Sequence, residues 1–179
     1  DTASKSITGN RDLNFGSDTA SQQYGGGLHD VRFYDDALTA DEVTFLATSG
    51  DSGTDPGTAN LVSQWKLNDR AGKVVTDSVG SNDGETKNIV EPSFWGQTHG
   101  KFDGVSDYGT IPGTIDLTDD KSISFWMKMN VAAASNEGVF EFDSSAGNEA
   151  YAFIDSGEKL RLQWWNSSAS KRRIIGSNV

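Results

Sequence analysis

Cysteine is absent from the 179 residues, and histidine occurs only twice. Without cysteine there is no disulfide framework, no zinc–thiolate site and no thiol nucleophile. His29 and His99 lie 70 positions apart. That inventory is too thin for a His-rich metal site, and it speaks against a Ser-His-Asp triad. No apolar run approaches the ~20 residues of a membrane-spanning helix, so membrane insertion is not expected. No signal peptide is visible either. Basic residues are scarce as well, 15 against 26 acidic ones, for a net charge of −11. Such a surface repels phosphate backbones and makes nucleic acid a poor partner. The length favours one domain, large enough to bury a core without cross-links.

What is present points to strands and tight turns. There are twenty glycines, nine phenylalanines and five tryptophans, while helix formers are thin. Ile123, Phe125, Met127 and Met129 alternate with Ser122, Ser124, Trp126 and Lys128, the period of a half-buried strand. Leu160, Leu162 and Trp164 alternate with Arg161, Gln163 and Trp165 in the same way. His29, Val31 and Phe33 alternate with Asp30, Arg32 and Tyr34, which assigns His29 to the buried row. Shorter strands are expected at 61–67, 101–104, 107–111, 138–143 and 150–155, separated by Gly, Ser, Asn and Asp clusters. Gly25-Gly26-Gly27 lacks the context of a phosphate loop and reads as a tight turn before the strand at 28–34. One short helix is expected near 39–48, where Thr39 and Glu42 form a capping box. Leu38, Phe45 and Leu46 are its candidate buried side. The expected class is all-β, an antiparallel β-sandwich or jelly roll.

Residues 49–59 contain no large apolar side chain and read as a flexible linker. Residues 1–58 carry a net charge of −7 and the remainder −4. The division expected is 1–48, a linker at 49–59, and 60–179. A piece of about 50 residues is small for an independent cysteine-free fold and needs strands from elsewhere.

Residues from 60 onward resemble the opening half of laminin G-like domains, in the concanavalin A-like lectin and glucanase jelly-roll group. The resemblance rests on Leu61-Val62-Ser63-Gln64-Trp65-Lys66-Leu67, Asp77-Ser78, Ser81-Asn82-Asp83-Gly84, Phe102-Asp103-Gly104-Val105-Ser106-Asp107-Tyr108 and Ile123-Ser124-Phe125-Trp126-Met127-Lys128. It continues through Gly138-Val139-Phe140 and Tyr151-Ala152-Phe153-Ile154. Residues 13–48 resemble the closing piece of the same family, through Leu13-Asn14-Phe15-Gly16, Gly26 to Tyr34, and Ala37 to Val43. The ending of a module therefore precedes a beginning. Two explanations compete: a window cut from a tandem array, or one shortened, circularly permuted module. Neither terminus reads as a natural chain end, and the window is preferred. It implies pairing with neighbouring copies or modules, by strand exchange or along one covalent array.

Glycoside hydrolases of this group set paired carboxylates on alternate residues of one strand. Glu141-Phe142-Asp143 begins that spacing, but the next same-face position is Ser145. No catalytic residue is therefore assigned. Calcium fits the Asx-rich loops better, because it takes several hard oxygen ligands. The resemblance implies such an ion where Asp30, Asp77, Asn82, Asp83, Asp103 and Asp107 meet, although any one of these residues also makes turns. Trp126, Trp164 and Trp165 are candidates to stack on sugar rings. Trp126 falls on the polar phase of its strand, and the adjacent pair face opposite ways. Asn166-Ser167-Ser168 is a glycosylation sequon, and Lys171-Arg172-Arg173 is the one basic cluster. The function expected is a non-catalytic structural or adhesive module at an extracellular, cell or virion surface. A carbohydrate-binding module is the alternative, with a hydrolase a distant third.

Overall fold

Short alternating segments become strands throughout the computed structural model. It describes residues 10–17, 22–49, 60–90, 94–96, 98–116, 120–130, 136–143, 150–165 and 171–178. In chain order these form β1 (Asn10–Phe15), β2 (Gly25–Tyr34), α1 (Ala40–Ser49), β3 (Leu61–Trp65), β4 (Val74–Val75) and β5 (Gly84–Lys87). There follow β6 (Gly100–Asp103), β7 (Tyr108–Asp116), β8 (Ser122–Met129), β9 (Glu137–Asp143), β10 (Ala150–Ile154), β11 (Lys159–Trp165) and β12 (Lys171–Asn178). Two antiparallel sheets pack as a sandwich. The larger runs β12-β11-β10-β9-β1-β7-β5-β4. The smaller is centred on β2, which pairs β8 along one edge and both β3 and β6 along the other.

The N-terminal strands are interior to both sheets. β1 lies between β7 and β9, with Asn14 opposite Thr110 on one side and Glu141 on the other. β2 supplies the central strand of the smaller sheet. The piece expected to need strands from elsewhere finds them within 60–143 of this chain. Of the linker expected at 49–59, Ser49 ends α1 and residues 50–59 lie outside the described residues.

The core is aromatic and bridges the layers. Phe15 meets Trp65 edge-on at 5.6 Å between ring centroids, Phe33 meets Phe142 at 6.2 Å, and Phe125 meets Phe140 at 5.4 Å. Each pair joins one sheet to the other, and such contacts add about 0.5–1.5 kcal/mol beyond area burial. Val31 and Phe33 are buried, and Ile123, Phe125 and Met127 pack against the core from β8.

His29 departs from its expected row. The ladder between β2 and β8 slips one residue between His29 and Arg32, and Asp30 has a left-handed φ of 50°. This bulge reverses the side-chain phase. Leu28 points inward before it, Val31 and Phe33 point inward after it, and His29 moves to the outer face beside Trp126. Simple alternation carried across a bulge gives the wrong face. Gly25 to Gly27 are likewise no turn but the first residues of β2, paired with β6 and β8. A Cβ at Gly26 would stand 2.4 Å from the Lys128 carbonyl oxygen, so glycine is set by close approach.

The helix forms with its capping box intact. The Thr39 amide donates to Glu42 at 2.6 Å, and the Glu42 amide donates to Thr39 Oγ1. None of its residues is fully buried, however: of the expected buried side Leu38 and Leu46 are half-buried and Phe45 is exposed. It lies on the surface, and just before it the Leu38 amide donates to Ser122 Oγ at 2.9 Å.

Candidate functional site

Two groups of the expected ligands form, in different places. The first surrounds the loop after β4. Asp77 Oδ1 accepts the amides of Gln64 at 3.0 Å, Val79 at 3.1 Å and Gly80 at 3.0 Å, while Oδ2 accepts that of Asn82 at 3.1 Å. Burial opposes ionisation of Asp77, but these donors and Ser63 outweigh it and hold the carboxyl below its usual range. Asp83 accepts the Asp77 amide at 2.8 Å, and Asn82 donates to Ser63 Oγ at 2.7 Å. The Asn82 carbonyl accepts from Trp65 Nε1, which fastens the loop to a core ring. Gln64 continues the network to Asp30, donating to its Oδ1 at 2.6 Å.

Asp30 and Asp77 are thus joined through one glutamine, across the break between the two sequence segments. The charge that balances Asp30 is a guanidinium. Arg32 donates from Nε at 3.1 Å to one carboxylate oxygen and from Nη2 at 2.7 Å to the other, and both residues are at least 96% buried. The bidentate fork satisfies geometry and charge together. This donor set does not fit calcium, because both carboxylate oxygens of Asp30 and of Asp77 are already taken, by amides and by an arginine.

Asp103 and Asp107 form the second group, where β6 turns toward β7. Asp103 Oδ1 accepts the amides of Val105, Ser106 and Asp107 at 2.8–3.1 Å. Burial opposes its ionisation, and those amides win, lowering its pKa. Asp107 goes the other way: burial, then the charge of Asp103, raises its pKa. Two carboxylates fall short of the six to eight oxygens calcium takes. Among the described residues no three His, Asp or Glu side chains are grouped to hold a metal.

Glu141 belongs to a polar row missed in the sequence. Strand register sets Thr110, Asn14, Glu141, Tyr151 and Gln163 side by side on the outer face of the larger sheet. Thr110 donates to Asn14 Oδ1 at 2.9 Å, and Gln163 donates to the Tyr151 hydroxyl at 2.7 Å. The cross-strand neighbours of Glu141 are Asn14 and Tyr151, not a second carboxylic acid. The only available signal was a lone polar residue inside each strand, which acquires meaning once register is known.

Of the three tryptophans singled out, Trp126 is 42% exposed on the outer face of the smaller sheet, opposite His29. The side chains of Trp164 and Trp165, the sequon at 166–168 and the Asp143 side chain lie outside the described residues. Trp95 is buried, with Nε1 donating to the Gly72 carbonyl at 2.8 Å. No family model, curated protein or solved structure matches the chain.

Proposed function

We propose that the chain is a non-catalytic β-sandwich module with a structural and adhesive role at an extracellular, cell or virion surface. The observation that supports this most is how Asp30, Asp77, Asp83 and Asp103 are used. Each spends its carboxylate oxygens holding a loop or a buried guanidinium. The resemblance to laminin G-like modules belongs to the same proposal, in its permuted form. Closing strands β1 and β2 precede the opening strands in sequence and complete one sandwich with them in space.

Carbohydrate binding is the second reading, favoured by the exposed indole of Trp126. Affinity electrophoresis through glycan-containing gels, with chromatography of the glycans afterwards, separates the readings. Unchanged glycans support a non-catalytic module, and release of shorter products would overturn it. Retardation by a glycan would favour the binding role over a purely structural one.

A further inference from the structure

The outer face of the smaller sheet carries a local cationic surface in an otherwise acidic protein. Register defines it in two rows. In one, Gly27 of β2 lies between Lys101 of β6 and Lys128 of β8. Two strand spacings put the lysine Cα atoms about 10 Å apart on the same face. In the next row His29 lies opposite Trp126, about 7 Å along β8 from Lys128. Among the described residues neither lysine has an acidic partner within ion-pairing distance.

His99 fills the space between the lysines. A Cβ on Gly27 would stand 2.9 Å from its Cδ2, and one on Gly96 would stand 3.2 Å from its Cε1. Two missing side chains therefore make the slot for the ring. Burial, then Lys101, His29 and Lys128, lowers the His99 pKa. His99 thus feels the other three basic groups. His29 is oriented as well: its Nδ1 donates to the Lys66 carbonyl at 2.8 Å, leaving Nε2 as its other polar atom.

We propose that this face, formed by His29, His99, Lys101, Trp126 and Lys128, binds an acidic glycan. A pyranose ring would stack on the Trp126 indole while its carboxylate or sulfate lies between the lysines and the imidazoles. The inference rests on the carbohydrate-binding reading and specifies the ligand's charge. A stacking surface alone suits any sugar. Four clustered basic groups suit one that brings an anion at about the spacing of a single residue of the polymer. A nucleic acid strand has bases that also stack. Its closely spaced phosphates, however, would extend past this small patch onto a surface of net charge −11.

Protonation of His99 favours the bound anion, so affinity rises as pH falls through the histidine range. The charged groups facing the ring are Lys101, Lys128 and His29, Thr98 Oγ1 stands 3.2 Å from its Nδ1, and the Glu137 carboxylate accepts the nearby Gly25 amide at 3.1 Å. The next outward residue along β6 is the acidic Asp103, opposite Gly25.

Isothermal titration with an oligogalacturonate, a sulfated chondroitin oligosaccharide, a neutral galacto-oligosaccharide and a single-stranded oligonucleotide tests the proposal. Expected is binding of at least one acidic sugar, weakened by salt and by rising pH. Trp126→Ala and the pair Lys101→Gln with Lys128→Gln should each lose about tenfold or more, with unchanged melting curves because these side chains are exposed. Equal binding of neutral and acidic sugars would overturn the charge assignment and leave the carbohydrate reading standing. Binding to none of the sugars would overturn both. Preference for the oligonucleotide would overturn the ligand class, and affinity independent of pH would remove the imidazoles from the site.

Discussion

Asp77 shows how one carboxylate organises a loop that would otherwise leave several amides unpaired. Four backbone donors converge on its two oxygens, from β3 and from the turn that follows β4. Hydrogen bonds to an ionised group contribute about 1.5–3 kcal/mol, so Asp77→Ala should cost at least that much in denaturant unfolding. The pH dependence follows from the direction of the shift. Asp77 and Asp103 have lowered folded-state pKa values, so their stabilisation is full above the unfolded carboxylate range, near pH 4, and is lost below it. Asp107, raised by burial and by Asp103, has the opposite sign and makes ionisation cost stability at neutral pH. Melting curves between pH 7 and 3 should therefore show Asp77→Asn flattening the acid loss. Asp107→Asn should raise the neutral-pH melting temperature. A lower melting temperature for Asp107→Asn would show that its charge is used in a contact.

At the scale of elements, β1 carries the consequence of segment order. Leu13 and Phe15 are fully buried, and Phe15 packs edge-on against Trp65 of the opposite sheet. Truncating Phe15 to Ala should cost about 3–5 kcal/mol by equilibrium unfolding, because the strand is interior and the cavity cannot collapse easily. A loss below 1 kcal/mol, within the range of surface substitutions, would place β1 at an edge or outside the fold. The strands most legible in the sequence were those with four alternating apolar residues, such as β8, or with a recognisable start, such as β3. β1 offers only Leu13 and Phe15, too few to establish a period, and β12 was obscured by Lys171-Arg172-Arg173. The capping box located α1 within one residue, yet it said nothing about what the helix packs against. The chemistry was less legible than the strands. Individual Asp residues were identifiable, but not that Arg32 would pair with Asp30, because that contact follows from the bulge in β2. Trp126 was visible as out of phase, whereas its basic surroundings come from three strands and one loop brought together by register.

For the whole molecule, the central claim is that one chain closes one sandwich. Residues 10–34 supply the inner strand of each sheet, and their ladders run to β3, β6, β7, β8 and β9 of the same chain. An isolated β2 would expose a row of backbone donors and acceptors together with Leu28, Val31 and Phe33, a surface prone to association. Within the closed sandwich that surface is paired on both edges. An exchanged assembly would use the same ladders between copies and would grow with concentration unless it closed on itself. Light scattering coupled to size exclusion, over a wide range of protein concentration, distinguishes the two directly. The account predicts a constant mass of 19.2 kDa. A dimer, or a mass rising with concentration that is lost together with cooperative melting on Phe15→Ala, would contradict it.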